Sequence, residues 1–270
     1  MHERMRELVI GRAEELWQRG TRRSFLRLLG LGGTVVLLPS AFAACDDDAT
    51  TTGPNGGTGP VALNLGNDLG ILNYAYALEQ LEAAFYTAVV ASSAFAGMTA
   101  EQKEGLTDLR NHEVIHREFF RAALGTNAIG ALALSDATVG TATASAASIL
   151  RTAEAFEDLG VAAYNGAGKY LTSADNLTIA GKIVSVEARH AAAIRDLRDA
   201  AGITAGAAAG TRFAGDDVVA AATGLDVKLE PSAVLTRVAA TGFVTSSLAI
   251  GTQPATKSGT PDAGPPNPTP

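Results

Sequence analysis

Cysteine, histidine and positive charge are all scarce in this chain. Cys45 is the only cysteine among 270 residues, so no disulfide can form within one chain. Of the four histidines, only His112, His116 and His190 follow Cys45. Residues 45–270 carry 14 Lys and Arg against 24 Asp and Glu, a net charge of −10. Such a surface repels phosphate groups, which argues against nucleic-acid binding. It could attract metal cations, and it would equally keep an alanine-rich protein soluble.

Residues 1–44 have the features of an export signal. Arg22 and Arg23 precede an apolar run that ends in small residues, and the segment resembles a twin-arginine signal peptide. The apolar run is short, contains glycines and reaches Pro39, which disfavours a permanent membrane span. We therefore expect export to the periplasm or cell envelope, with residues 1–44 removed.

Cys45 lies where a bacterial lipoprotein signal is cut, directly after "AFAA" and before "DDD". The resemblance implies lipidation of Cys45 and tethering to the membrane by that lipid anchor. One departure is Phe42, because the lipoprotein pattern prefers Leu or another aliphatic residue there. A cut after Ala43 by an ordinary signal peptidase therefore stays open, and it would leave Cys45 as a free thiol.

The two ends of the chain predict unstructured segments. Residues 45–62 and 251–270 are polar and rich in Gly, Pro, Thr or Asp, so they bury too little apolar surface to offset their ordering entropy. We interpret them as a flexible tether and a disordered tail. The folded part then consists of a helical bundle over residues 63–202 and an appendage over residues 203–250, with a short helix beginning near Pro231.

Helical periodicity predicts an all-α fold built on four long helices. They span roughly 67–95, 100–124, 145–170 and 174–201. Thr99 and Gln102 form a capping-box pattern, and Gly125 and Gly202 are suited to helix ends. Short links make helices 1 and 2, and helices 3 and 4, antiparallel hairpins. The link of about twenty residues between the hairpins predicts a long crossover, the ferritin-like arrangement, although a disordered or lid-like loop stays open.

Two of the predicted helices carry the same Glu-x-x-His motif. Glu113 and His116 lie in "NHEVIH", and Glu187 and His190 lie in "VEARH". Residues three apart on a helix leave the same face, so each pair presents a carboxylate and an imidazole together. Charges at this spacing also occur on solvated helix faces, but apolar neighbours such as Ile115 and Val186 argue against full exposure.

The other two helices carry pairs of glutamates followed by a tyrosine. Glu79 and Glu82 precede Tyr86 on the first helix, and Glu154 and Glu157 precede Tyr164 on the third. Tyr86 follows Glu79 by seven residues, as Tyr164 follows Glu157. The two hairpins therefore look like a weak internal repeat that could build one central site.

One Glu from each of two helices plus Glu-x-x-His from each of the others is the ligand set of ferritin-like di-iron and di-manganese carboxylate proteins. Over about residues 65–200 the chain resembles exported bacterial ferritin-like domain proteins. The resemblance implies two Fe or two Mn ions, with Glu113 and His116 on one ion and Glu187 and His190 on the other. Further candidate ligands are Glu79, Glu82, Glu154 and Glu157. Family spacings rank Glu79 and Glu154 slightly ahead.

Three residues near these ligands have open roles. His112 is either a partner of a ligand, an extra ligand or a surface histidine. Tyr86 and Tyr164 either donate hydrogen bonds to ligands or pass electrons, or are core tyrosines. The sequence carries no haem or nucleotide signature.

The implied function is redox chemistry outside the cytoplasm, namely Fe(II) oxidation or consumption of peroxide or oxygen. A non-enzymatic envelope or desiccation-related stress protein is the alternative, and manganese-catalase-like activity is a second one. The chain has no C-x-x-C pair of a rubredoxin module, so rubrerythrin-like activity would need another electron source. A tethered amino terminus disfavours a closed storage cage. A dimer is conceivable.

Overall fold

The computed structural model describes residues 61–203 and 214–252. The predicted export signal and Cys45 lie outside these ranges, as do most of the predicted tether and tail. The seven helices of the described ranges are α1 Asp68–Ala91, α2 Ser93–Ala96, α3 Ala100–Leu124, α4 Asp136–Ala142, α5 Ala146–Ala167, α6 Ala174–Ala200 and α7 Pro231–Thr241. Four short strands accompany them: β1 Val61–Asn64, β2 Val219–Ala220, β3 Leu225–Asp226 and β4 Leu248–Thr252.

The four long helices form a bundle of two hairpins, which confirms the predicted fold class. α1 packs along α3 and α5 packs along α6, and these are the two most extensive contacts between elements. Leu106, Ile149, Leu150 and Ile194 from three of the helices are fully buried in the common core. Within the described part of the chain, no helix combines the length and apolarity needed to cross a membrane.

Side-chain caps set the helix boundaries. Thr99 and Gln102 form the predicted capping box, each side chain bonding the other's backbone N–H. Gly125 ends α3 with a φ of 52°, and Gly202 follows α6 with a φ of 68°. The first helix is shorter than predicted because Ser92 leaves the helical conformation and accepts a hydrogen bond from the N–H of Phe95. A serine hydroxyl can replace a helical backbone partner in this way.

The link between the hairpins is an ordered crossover that lies against α1. Asn73 accepts a hydrogen bond from the N–H of Ile129 (2.8 Å) and donates to the carbonyl of Asn127 (2.9 Å). Two turns further along α1, Gln80 accepts from the N–H of Leu132 (2.9 Å). The crossover also contains α4, a helix of seven residues that the sequence did not predict. Two buried amides of α1 therefore fix the path of the crossover.

Strands β1 and β4 bring the two ends of the described chain together. They pair in parallel, with Val61 opposite Leu248 and Leu63 opposite Ile250. Leu63 is 1% exposed, so this strand belongs to the core. Neither strand is predicted from the sequence, because four or five residues carry too little periodicity to separate a strand from a loop.

The carboxyl-terminal segment packs on α5 and α6. Its helix α7 begins at Pro231, as predicted, and ends at Gly242 with a φ of 68°. The N–H of Leu229 donates to the carbonyl of Ala162 in α5 (2.9 Å). The guanidinium of Arg195, buried in α6, donates to both Asp158 (2.5 Å) and Asp217 (2.7 Å). An ion pair and a backbone hydrogen bond therefore hold this segment against the second hairpin.

Asp68 joins the start of α1 to the start of α6. It accepts hydrogen bonds from the N–H groups of Thr172 and Ser173 and from the side chains of Thr172 and Asn176 (2.7–2.9 Å). Although burial opposes the change, these four donors lower the pKa of Asp68 from 3.8 to about 2. The charged carboxylate is therefore the form that stabilises this corner of the bundle.

We expect Asp68→Ala to reduce the free energy of unfolding by about 1–2 kcal/mol at neutral pH, because several donors lose their acceptor. The deficit should shrink as pH falls from about 4 toward 2, since the native protein itself loses this stabilisation when Asp68 is protonated. Urea unfolding across this pH range measures both effects. Asp196→Ala, at an exposed position of α6, is the control. A deficit that stays constant down to pH 2 would contradict the account.

Candidate metal centre

Carboxylates and imidazoles from four helices meet in the middle of the bundle. The first group of potential ligands contains Glu79, Glu113, His116 and Glu187, and the second contains Glu113, Glu157, Glu187 and His190. Within each group, one ligand atom per residue lies within 4.8 Å of all the others. Residues that are more than a hundred positions apart in the sequence therefore converge on one interior point.

Glu113 and Glu187 belong to both groups. The family resemblance implied that each Glu-x-x-His motif serves its own ion. In the structure each motif's carboxylate is near both histidines. Glu113 lies 3.4 Å from His116 and 2.9 Å from His190, and Glu187 lies 3.1 Å from His116 and within 4.8 Å of a nitrogen of His190. Glu79 and Glu157 then complete one group each, from α1 and α5.

Both histidines point their Nδ1 atoms into the cluster. Nδ1 of His116 lies 3.1 Å from Glu187 and 3.4 Å from both Glu79 and Glu113. Nδ1 of His190 lies 2.9 Å from Glu113 and 3.3 Å from Glu157. Nδ1 of each histidine thus faces carboxylates from both hairpins. A cation bound at either nitrogen would therefore contact both hairpins.

Two tyrosines tie the hairpins together across the cluster. Tyr86 of α1 donates its hydroxyl to Glu157 of α5 (2.5 Å), and Tyr164 of α5 donates its hydroxyl to Glu79 of α1. Tyr86 is 0% exposed and Tyr164 is 8% exposed. Because each tyrosine follows the glutamate of its own helix by seven residues, the two bonds are related by the internal repeat. Of the open roles for these tyrosines, the structure supports that of hydrogen-bond donors.

Glu154 lies outside the cluster, which reverses the ranking given by family spacings. Its carboxylate accepts a hydrogen bond from the guanidinium of Arg198 at 2.7 Å. Glu154 lies one turn before Glu157 on α5, where it faces the last turn of α6 rather than the Glu-x-x-His motif. The structure therefore brings Glu157 to the cluster and gives Glu154 a separate ion pair.

Glu82 borders the cluster without joining either group. It lies one turn after Glu79, and the repeat places Gly160 one turn after Glu157 at the equivalent position. A Cβ at Gly160 would lie 3.1 Å from a carboxylate oxygen of Glu82 and 3.1 Å from one of Glu187. The missing side chain of Gly160 therefore makes room for the extra carboxylate. Gly160 is absent from the candidates predicted above, although alignment of the two hairpins pairs it with the position of Glu82.

His112 is the exposed neighbour of the cluster. Its Nδ1 lies 2.9 Å from Nε2 of His190, on the side of that ring away from the carboxylates. His112 thus contacts a candidate ligand from the opposite hairpin. Partial burial and the nearby His190 lower the pKa of His112.

Burial and mutual repulsion shift the pKa values of the cluster strongly. Burial, followed by the charge of Glu187, raises the pKa of Glu82 well above 4.5, and burial with Glu113 does the same for Glu187. Burial raises the pKa of Glu79 to about 7. Against the effect of burial, contacts with His116 and His190 lower the pKa of Glu113 to about 2. The metal-free cluster is therefore stable only if it holds several protons.

Much of the cluster's hydrogen-bonding capacity is unused. Within the described ranges, the cluster has buried side-chain oxygen or nitrogen atoms without a hydrogen-bond partner on Glu79, Glu113, Glu157, Glu187 and His190. Nδ1 of His190 and a carboxylate oxygen of Glu113 lie 2.9 Å apart, and neither atom has a hydrogen-bond partner. Buried polar atoms without a partner are costly, and a cation would bind both the carboxylate oxygens and the imidazole nitrogen. Carboxylates with two imidazoles suit Fe(II) and Mn(II), so the residues fit the implied metal pair.

We expect Glu82→Gln to stabilise the metal-free protein by about 1–3 kcal/mol at pH 7, because the amide has the same shape and removes a buried acid. The gain should fall as pH drops toward 4.5, where the unfolded chain is protonated too. Thermal unfolding with chelator present measures this, with the exposed Glu104→Gln as control. A loss of stability at pH 7 would contradict the assignment of Glu82 as a destabilising acid.

Comparison with known families agrees with this geometry. Residues 67–200 match the ferritin-like domain family, a range that runs from the start of α1 to the end of α6. A search of curated proteins finds no match to the chain. The matched range contains the two hairpins, the crossover and every residue of the cluster. Residues 67–200 of this chain therefore form a ferritin-like domain.

Proposed function

We propose that the cluster binds two iron or two manganese ions and that the protein carries out redox chemistry with them. The observation that supports this most is the convergence of six potential ligands in two groups that share Glu113 and Glu187. Two shared carboxylates between two histidine positions suit a pair of ions rather than a single one. Four or five glutamates also neutralise the charge of two dications.

The bound metal pair would supply one-electron and two-electron redox chemistry with dioxygen or peroxide. The residues of the chain prepare the site for it. Tyr86 and Tyr164 hold Glu157 and Glu79 in fixed orientations through their hydroxyls. Glu79, Glu113, Glu157 and Glu187 are each 0% exposed, so bulk water is kept away from the carboxylates. The side chain of His116 is 12% exposed, and this is the more open edge of the site.

A metal-binding function explains the cluster better than a purely structural role. Buried carboxylates with raised pKa values reduce the stability of a metal-free bundle. An envelope or desiccation-related protein with no metal could replace them with apolar residues and gain stability. The proposed metals would neutralise these glutamates, whereas the non-enzymatic alternative leaves them with the histidine and tyrosine contacts described above.

We also propose that the protein acts outside the cytoplasm, tethered through a lipid on Cys45. Support comes from the paired arginines, the short apolar run and the position of Cys45 in the sequence. Mass spectrometry of the protein isolated from the native envelope tests this. A mature chain that begins at Cys45 with added acyl mass is expected. An unmodified chain that begins after Ala43, or one that retains residues 1–44, contradicts the tether.

We expect the purified protein to bind two Fe(II) or Mn(II) ions per chain and to release protons as it does so, because the buried acids must lose them. Elemental analysis and anaerobic titration in weakly buffered solution measure the two quantities. Glu157→Gln should reduce the stoichiometry or weaken one site at least tenfold. The matched substitution Glu154→Gln, one turn away on α5, should leave metal binding unchanged. Equal effects of both substitutions would contradict the site.

The metal-loaded protein should then accelerate Fe(II) oxidation by dioxygen or peroxide, and Tyr86→Phe should slow it while keeping both ions bound. Stopped-flow absorbance of Fe(III) formation measures the rate. If the manganese form instead releases oxygen rapidly from peroxide, the catalase-like alternative is correct. A protein that binds neither metal, and oxidises nothing when supplied with both, would support the non-enzymatic alternative.

A further inference from the structure

The two helices that carry Glu-x-x-His differ in the residue four positions before the histidine of the motif. In α3, His112 precedes His116 by four residues, and in α6, Val186 precedes His190 by four residues. The internal repeat therefore places His112 and Val186 at equivalent positions. A histidine can accept a hydrogen bond from an imidazole and a valine cannot. The ligands of the two halves are therefore equivalent, but only one of the two positions has a side chain that can form a hydrogen bond with a ligand histidine.

The contact between His112 and His190 has the geometry of a hydrogen bond in the plane of both rings. Nδ1 of His112 and Nε2 of His190 are 2.9 Å apart, and the ring planes differ by only 8°. The ring centroids are 5.1 Å apart, which exceeds the nitrogen separation by about two ring radii. The rings therefore meet edge to edge rather than face to face. This geometry directs the proton of one ring at the lone pair of the other.

The direction of that bond follows from the opposite side of His190. Its Nδ1 faces Glu113 and Glu157 inside the cluster. To offer a lone pair to a cation there, a neutral His190 must carry its proton on Nε2. Nε2 then donates to Nδ1 of His112. His112 thus selects the tautomer and the orientation of His190 that metal binding requires.

His116 lacks this support. Its side chain is 12% exposed against 5% for His190, and it contacts Glu79, Glu113 and Glu187 through Nδ1. Over residues 61–203 and 214–252, no side chain is hydrogen-bonded to Nε2 of His116 in the way that His112 is bonded to His190. The imidazole of His116 is therefore less constrained before a cation arrives.

We propose that His112 is a positioning residue that makes the two metal positions unequal, so that the position containing His190 and Glu157 binds its ion first and more tightly. This inference rests on the proposed function, because it assumes that both positions bind metal. Hydrogen-bonded partners of ligand histidines typically change metal affinity by about 10–100-fold. A difference of that size between the two positions is the expected effect.

Titration with Co²⁺ alone tests the inference, since this ion is stable in air and its visible absorption reports each binding step. The native protein should bind in two steps of different affinity, and His190→Ala should remove the tighter one. His112→Ala should weaken the tighter step by about 10–100-fold and leave the weaker step unchanged. His112→Gln keeps an acceptor atom and should restore most of the affinity.

Val186→His provides the reciprocal test, because it adds an acceptor at the equivalent position of the other half. It should tighten the weaker step and bring the two affinities closer together. Thermal unfolding with chelator present checks that each variant folds, and the exposure of His112 favours this for the two substitutions there.

Three results would overturn the inference. Two steps that His112→Ala does not change, or that it weakens equally, would show that His112 does not support one position. Two indistinguishable steps in the native protein would show that the positions are equivalent. These results leave the proposed metal centre intact. The absence of any Co²⁺ binding by the folded native protein would instead contradict the metal centre itself, and the inference with it.

Discussion

The burial of five carboxyl groups and two imidazoles in one bundle interior is the constraint on which the structure depends. Glu79, Glu82, Glu113, Glu157 and Glu187 are all 4% exposed or less. So many acids cannot all be ionised together in an apolar core, and the raised pKa values of Glu79, Glu82, Glu157 and Glu187 express the cost. Protons can neutralise the acids, whereas two dications would both neutralise them and bind their unpartnered oxygens. The rest of the bundle must therefore compensate for the destabilising effect of these buried carboxyl groups.

Several distant features hold the hairpins at the separation that the cluster needs. Asn73 and Gln80 bind the crossover to α1, and Asp68 joins α1 to the loop before α6. The crossed hydroxyl bonds of Tyr86 and Tyr164 link α1 to α5 at the level of the carboxylates. The contacts of Asp68 and Asn73 lie toward the start of α1, and those of Gln80 and the tyrosines lie beside the glutamates. They explain how the ligands stay together while the acids repel one another.

Much of the fold and most of the ligands could be predicted because they depend on local patterns. Helical periodicity and capping residues located the four long helices, and the spacing of the Glu-x-x-His motifs placed each carboxylate beside its histidine. Both signals lie within one or two helical turns. The family match over residues 67–200 agrees with that prediction of the fold.

The remaining features depend on residues that are far apart in the sequence. Glu154 and Glu157 are equally plausible on one helix, and Arg198, 44 residues away, decides between them by pairing with Glu154. The contact of His112 with His190 crosses 78 residues and both hairpins. The pairing of β1 with β4 joins opposite ends of the described chain. No short window of sequence contains both partners of such contacts.

The central claim is that two metal ions occupy the interior of the bundle, with Glu113 and Glu187 between them. Anomalous X-ray diffraction from crystals of the metal-loaded protein, collected at the iron or manganese absorption edge, measures this directly. The account predicts two strong peaks, one beside Nδ1 of His116 and one beside Nδ1 of His190, with Glu113 and Glu187 in contact with both. Peaks confined to the protein surface, or no peak within the bundle of a fully loaded crystal, would contradict it.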